Sequence, residues 1–281
     1  MANEQALRFS KLEALGNDFV LLDGRRAPLE INADLVRALA HRRLGVGCDQ
    51  VLVLQPPGSP DHLLDVAIWN ADGSPAEQCG NGMRAIGLWL NRQGEMDDRA
   101  RINTPAGAVE LALDQSGAVC ATLTIPEFEE SAWGLKHPGT GWQPPRHDSV
   151  LEWHGLALGN PHLVLEWPHR PTEAQLASQA ALSRHPDLIR GANVGLAFVE
   201  APDRIVLRVL ERGAGPTPAC GSGAAAAACA LIRAGRVQPP VRVMQTGGEC
   251  VIHWPGPGHP VSLTGPARHV FDGTLPWLTK P

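Results

Sequence analysis

The sequence predicts an α/β (α+β) protein of two homologous domains, each a mixed or barrel-like sheet wrapped round a central buried helix. Chain length, an internal repeat and two short helices that are apolar on every side carry that prediction. At 281 residues the chain exceeds the ~100–200 of an ordinary domain, so two domains are expected. With 43% hydrophobic and 19% charged residues it has enough apolar material for real cores and too little charge for disorder.

The repeat consists of matching landmarks in the same order in both halves. The first half carries Gly16-Asn17-Asp18-Phe19, Cys48-Asp49-Gln50, Asn70-Ala71-Asp72-Gly73 and Cys79-Gly80-Asn81-Gly82. The second carries Gly159-Asn160-Pro161-His162, Asn193-Val194-Gly195, Glu211-Arg212-Gly213-Ala214-Gly215 and Cys220-Gly221-Ser222-Gly223. Matching positions lie 143, 143, 141 and 141 residues apart, and the nine-residue step from Asn70 to Cys79 recurs from Glu211 to Cys220.

Strand-like runs at 67–69 and 205–210 precede the third landmark of each half, and 51–54, 121–125, 163–167 and 241–243 supply further β-structure between Gly and Pro turns. After the cysteines the pattern turns helical. Residues 224–232 are hydrophobic throughout, and 83–90 are interrupted only by Arg84 and Gly87. A helix apolar all round is buried on all sides, and one of about nine residues is too short to cross a bilayer. Each is therefore expected inside the curved sheet of its own domain. Proline, at 25 residues, is in excess and falls largely in connections such as 138–145, which reads as an inter-domain boundary.

The net charge of -5, without a run of Lys or Arg longer than two, offers no footprint for nucleic acid or an anionic membrane. Residues 1–10 lack the apolar core of a signal peptide and no stretch reaches the ~20 apolar residues of a membrane span, so a cytoplasmic enzyme acting on a small molecule is expected. There is no tyrosine, which excludes a phenolic base. Lysine occurs only at Lys11, Lys136 and Lys280, each read as a solvated surface charge rather than a Schiff-base former. The six cysteines form no Cys-x-x-Cys pair, so neither a disulfide scaffold nor a zinc site is expected.

Two cysteines stand apart. A Cys-Gly-x-Gly turn opening a helix sets the thiol beside unpaired backbone N–H groups and the positive end of the helix dipole, which favours the thiolate. The flanking glycines let an anionic ligand approach the same N–H groups. If the two turns face each other across a cleft between the domains, Cys79 and Cys220 become a base and an acid on opposite faces of one substrate carbon. That chemistry is amino-acid racemisation without metal or pyridoxal phosphate, so no cofactor is expected. Cys48, Cys120, Cys229 and Cys250 read instead as small hydrophobes.

The motifs Leu15-Gly16-Asn17-Asp18-Phe19, Gly45-Val46-Gly47-Cys48-Asp49-Gln50, Asn70-Ala71-Asp72-Gly73-Ser74 and Gln78-Cys79-Gly80-Asn81-Gly82-Met83-Arg84 resemble those of the diaminopimelate epimerases. So do Gly159-Asn160-Pro161-His162, Glu211-Arg212-Gly213-Ala214-Gly215 and Ala219-Cys220-Gly221-Ser222-Gly223. The resemblance implies the interconversion of LL- and meso-diaminopimelate, by two-base proton transfer, in lysine and peptidoglycan precursor synthesis. It implies that Cys79 and Cys220 exchange the proton while Gly80, Asn81, Gly221 and Ser222 hold the reacting carboxylate. Asn17, Gln50, Asn70, Asn160, Asn193, Glu211 and Arg212 would bind the distant amino and carboxyl groups, and His162 and Glu211 are candidates for tuning a thiol. A homodimer is expected.

Cys48, Leu210, Met83 and Ala85 depart from the commoner family residues, and Cys48 is expected to add a thiol near the pocket. Domain limits are placed at 1–123, with 266–281 returning to the first domain, and 124–265. Three other readings fit the cysteine pair: a proline or hydroxyproline racemase-type isomerase, a thiol redox sensor, and a non-catalytic amino-acid binding protein.

Overall fold

In the computed structural model, which describes residues 6–27, 29–145 and 149–275, the chain begins with a hairpin. Strand β1 (Leu7–Ala14) turns into β2 (Asn17–Asp23) through Leu15 and Gly16, at φ 57° and 83°. Two positive φ values in a two-residue loop match the twist of antiparallel strands, at a cost for the non-glycine Leu15. The helix α1 (Ala33–Ala40), capped by the Asn32 side chain, leads to β3 (Gln50–Gln55), which lies parallel to β2. Strand β4 (Leu64–Asn70) pairs antiparallel with β3.

The other edge of β4 is shared. Short β5 (Pro75–Ala76) bonds its C-terminal end and β6 (Arg99–Thr104) its N-terminal end, and between them in sequence runs α2 (Gly80–Arg92). Next come β7 (Gly107–Leu113), antiparallel to β6, and β8 (Val119–Thr122).

The same order recurs in the second half. Strands β9 (Glu152–Leu158) and β10 (Asn160–Glu166) form a hairpin about Gly159, at φ 75°. After α3 (Glu173–Ser178) and a 3₁₀ turn (Ala180–Arg184), β11 (Asn193–Ala201) lies parallel to β10 and β12 (Arg204–Glu211) antiparallel to β11. Strand β12 shares its far edge between β13 (Gly215–Thr217) and β14 (Val241–Gln245), with α4 (Gly221–Arg233) between them in sequence. Strands β15 (Gly248–His253) and β16 (Ser262–Gly265) complete this sheet, and β17 (Arg268–Leu275) returns to pair with β1. The chain divides into two compact units, Met1–Ala121 with Pro266–Pro281, and Thr122–Gly265.

In the first unit, strands read as continuous apolar runs because both sheet faces are covered. On β2 and β3, Phe19, Leu21, Leu52 and Leu54 join the core round Met83, Ile86 and Trp89 of α2. The alternate residues Val20, Leu22, Val51 and Val53 pack with Val36 and Leu39 of α1. In the second unit, α4 is buried from Gly223 to Leu231 against strands of both edges of its sheet. The opposite face is closed by Leu176 of α3, Leu182, and Trp133 with Leu135.

Four expectations change. Each central helix has 13 residues rather than about nine, because the Gly-x-Gly turn forms its first turn and polar residues continue its last. The 138–145 stretch is not a boundary: it lies inside the second unit, where Trp142 packs on Trp133 and Trp153 at centroid distances of 6.0 and 5.6 Å. Lys11 is not a surface charge; it is 8% exposed, and its ammonium contacts Asp18 and the Gly47 carbonyl. Lys136 is exposed as expected, and Lys280 lies outside the described residues. The strand expected at 121–125 ends at Thr122.

Candidate functional site

Cys79 is the N-cap of α2, where its sulfur accepts the N–H of Gly82 at 3.3 Å. Ser, Thr, Asp and Asn ordinarily fill this role. Here the acceptor is a sulfur whose charged form the helix terminus favours. Cys220 holds the same place on α4, accepting from the N–H of Gly223, again at 3.3 Å. The Ser222 hydroxyl lies 3.5 Å from the Cys220 sulfur, and Gln245 Oε1 accepts the Cys220 N–H at 2.8 Å. Gly80, Asn81, Gly221 and Ser222 are the opening residues of the two helices, with Gly80, Asn81 and Gly221 buried.

In the first unit Asn17 and Asn81 lie beside Cys79, and Gln50 and Asn70 pair on β3 and β4. Asn17 opens β2, and its Oδ1 lies 3.8 Å from Cys79 Sγ and accepts from Asn81 Nδ2 at 3.4 Å. Its Nδ2 donates to Asp49 at 2.9 Å. Gln50 and Asn70 sit opposite each other on β3 and β4, and Gln50 Nε2 donates to Asn70 Oδ1 at 3.0 Å. Asn70 Nδ2 donates in turn to Ser74. This chain of donors leaves Gln50 Oε1 a buried acceptor with no protein partner among the described residues. Such an atom is suited to an ammonium group.

The second unit repeats the layout with different chemistry. His162 and Asn193 are register partners on β10 and β11, as Phe19 and Gln50 are on β2 and β3. Asn160 Oδ1 lies 2.9 Å from His162 Nε2, which places the ring proton on Nε2. Burial, reinforced by the Arg212 charge, pushes His162 down to about 3, so the ring is neutral at physiological pH. Asn193 Oδ1 accepts the Arg212 N–H at 2.8 Å and thereby holds the Glu211-Arg212 turn. The Glu211 carboxylate accepts from Thr217 at 2.6 Å, and the exposed Arg212 guanidinium donates to the Arg190 carbonyl at 2.6 Å.

Cys48 does not reach this cluster. It packs among Val36, Leu39 and Val53, on the sheet face away from α2, and burial pushes its thiol up to about 12. Cys229 is likewise buried and its thiol raised. Met83, Ala85 and Leu210 are core residues. Asp49, Thr217 and Gln245 have no assigned role in the sequence reading; Asp49 stands within a repeat landmark, whereas Gln245 has only its strand position to signal it. Glu152, His154 and Glu166 bring potential metal-ligand atoms within 4.8 Å of one another, but Glu166 is held by Arg236 at 2.5 Å. Among the described residues no helix is long and apolar enough to cross a membrane.

The fold is shared with solved structures. A hydroxyproline epimerase from Agrobacterium vitis superposes with a TM-score of 0.68 at 16% identity, covering 99% of this chain and 94% of that one. A phenazine biosynthesis protein of the PhzF family from Bacillus anthracis gives 0.68 at 12% identity, covering 96% and 99%. Sequence relatives are nearer. The chain is 40% identical to a diaminopimelate epimerase of Azoarcus sp. strain BH72 over 96% of its own length and 98% of that protein's. It is 39% identical to one from Xanthomonas campestris pv. campestris, over 95% of each. The sequence model described as Diaminopimelate epimerase matches residues 9–124 and 156–270, and so the chain belongs to the diaminopimelate epimerase family.

Proposed function

We infer that the protein interconverts LL- and meso-2,6-diaminopimelate by moving one proton between two sulfurs, with Cys79 and Cys220 on opposite faces of the reacting Cα. Family membership supplies the substrate. The observation that carries the mechanism is the matched cap: two cysteines, each at the start of a 13-residue buried helix, each accepting an N–H at 3.3 Å.

In the proposed cycle one sulfur is a thiolate and the other a thiol. The thiolate takes the Cα proton and becomes a thiol, leaving the electron pair on Cα and the adjoining carboxylate. The opposite thiol gives its proton to the other face and becomes the thiolate. The substrate leaves inverted, with the charge moved from one cysteine to the other. The backbone N–H groups at Gly80, Asn81, Gly221 and Ser222, at the two helix N-termini, would receive the reacting carboxylate, whose negative charge grows in the transition state. Gln50 Oε1, a buried acceptor, suits the ammonium of the unreacting centre.

The test is proton NMR of LL-diaminopimelate with the reduced protein in deuterated water. Deuterium at one Cα alongside meso product is expected, and neither Cys79→Ala nor Cys220→Ala should produce it. Exchange with proline or hydroxyproline in place of diaminopimelate would overturn the substrate, and turnover by either alanine variant would overturn the mechanism.

A further inference from the structure

We propose that Asp49 is a positioning residue that holds Cys79 as the thiol, and so as the acid, of the free protein, by fixing which end of the Asn17 carboxamide faces the sulfur. The catalytic meaning rests on the function proposed above; the protonation itself does not.

A carboxamide has one donating and one accepting end, and its orientation follows from its neighbours. Asp49 decides it, because a carboxylate only accepts. Asn17 Nδ2 donates to Asp49 Oδ2 at 2.9 Å, so Oδ1 is turned towards Cys79 Sγ at 3.8 Å and Asn81 Nδ2 at 3.4 Å. A carbonyl oxygen accepts S–H and repels a thiolate. It therefore opposes the Gly82 N–H, which favours the thiolate from the other side.

Asp49 is itself firmly placed. Arg42 Nη2 donates to its Oδ1 at 2.6 Å, and the Asp18 N–H to its Oδ2 at 3.2 Å. Its own N–H donates to the Asp18 carbonyl at 3.0 Å. Arg42 also bridges to Asp18, on which the buried Lys11 closes. Two cations thus hold two carboxylates at the mouth of β2 and β3, and the carboxamide of Asn17 takes its direction from them.

In the second unit the counterpart of Asp49, at the same 143-residue offset, is Ala192, which carries no carboxylate. Cys220 Sγ receives the Gly223 N–H at 3.3 Å and has a hydroxyl, from Ser222, at 3.5 Å that is able to donate. Both contacts suit a thiolate. The resting pair is therefore unequal, with Cys220 the base and Cys79 the acid.

The experiment is the pH dependence of alkylation of each cysteine by iodoacetamide, read peptide by peptide by mass spectrometry in the intact, reduced protein without substrate. Cys79 should titrate above Cys220. In Asp49→Asn, Asn17 is free to turn its amino end to the sulfur, and Cys79 alkylation at neutral pH should rise roughly tenfold, with Cys220 unchanged. Asn17→Ala, which removes the oxygen outright, should accelerate Cys79 in the same direction and serves if Asp49→Asn fails to fold. A Cys79 profile unmoved in a folded variant, or one lying below that of Cys220 in the parent protein, would overturn the proposal. Failure to epimerise diaminopimelate alongside the expected shift would count against the proposed function alone.

Discussion

Gln245 Oε1 accepts the backbone N–H of Cys220 at 2.8 Å, so the end of β14 fixes the cap of α4. The equivalent residue of the first unit, Thr104 at the end of β6, instead donates to the Gly107 carbonyl at 2.8 Å. Replacing Gln245 by Leu strands a buried N–H, which costs about 1–3 kcal/mol. Gln245→Leu should lower stability by that amount in a urea titration and depress kcat more than it raises KM. Thr104→Val should leave kcat unchanged.

The glycines after the cysteines differ in how much room they have. A Cβ on Gly223 would stand 3.1 Å from Val209 Cγ2 and 3.3 Å from Cys220 Sγ; one on Gly82 would meet the Leu52 methyls at 3.3 Å and Cys79 Cβ at 3.4 Å. Alanine at 223 therefore crowds a sulfur, and alanine at 82 crowds a flexible leucine. Gly223→Ala should cut kcat at least tenfold further than Gly82→Ala, a displacement penalty of the size that small misplacements of reacting groups produce. Comparable kcat values for the two variants would place the sulfur elsewhere during turnover.

His162 makes the protein sensitive to acid. Its folded pKa, about 3, lies below the usual 6.5, so between those values the unfolded chain holds a proton that the folded one does not. Stability is then complete above pH ~6.5 and declines as pH falls, by up to about 1.4 kcal/mol per pH unit. His162→Phe, which copies Phe19 of the first unit, should remove that slope from urea titrations between pH 4 and 6. An identical slope in the variant would assign the acid sensitivity to other groups.

What was legible in the sequence followed from periodicity and spacing; what was not depends on contacts between distant segments. The 141-residue offset foretold that Glu211 and Cys220 would stand as Asn70 and Cys79 do, and the shared edges of β12 and β4 bear this out. Each helix runs longer than the apolar stretch that marks it in the sequence, because a glycine turn reads as a boundary although its residues here carry helical hydrogen bonds capped by a sulfur. The resemblance of the motif 45–50 to the family places Cys48 near the pocket. The chain bends at Asp49, just before β3, so Cys48 does not follow the alternation that puts Gln50 and Leu52 on the α2 side, and it falls on the α1 side. The 138–145 segment looked like a linker by composition, yet its tryptophan is held by an aromatic cluster invisible to local pattern.

Lys11 is the plainest case, and it carries the last prediction. On β1 it reads as an ordinary strand lysine, but Asp18 from β2 and the Gly47 carbonyl from the segment before β3 close over it. Burial by itself would raise the Asp18 carboxyl; hydrogen bonds and charge from Arg42 and Lys11 outweigh it and bring the group down to about 2. The stability this contributes is present above pH ~3.8 and is lost as pH falls through about 2. Lys11→Met keeps the apolar stem and removes one of the two cations, leaving Asp18 to Arg42. It should cost about 2 kcal/mol near neutral pH, less than the ~3–5 of a buried charge stripped of every partner. The Asp18 carboxyl should rise as well, so acid unfolding begins at higher pH than in the parent, in the direction opposite to His162→Phe. Acid titrations of the three proteins, followed by circular dichroism, read both signs at once, and a Lys11→Met midpoint at or below that of the parent would mean that Arg42 alone holds Asp18 ionised.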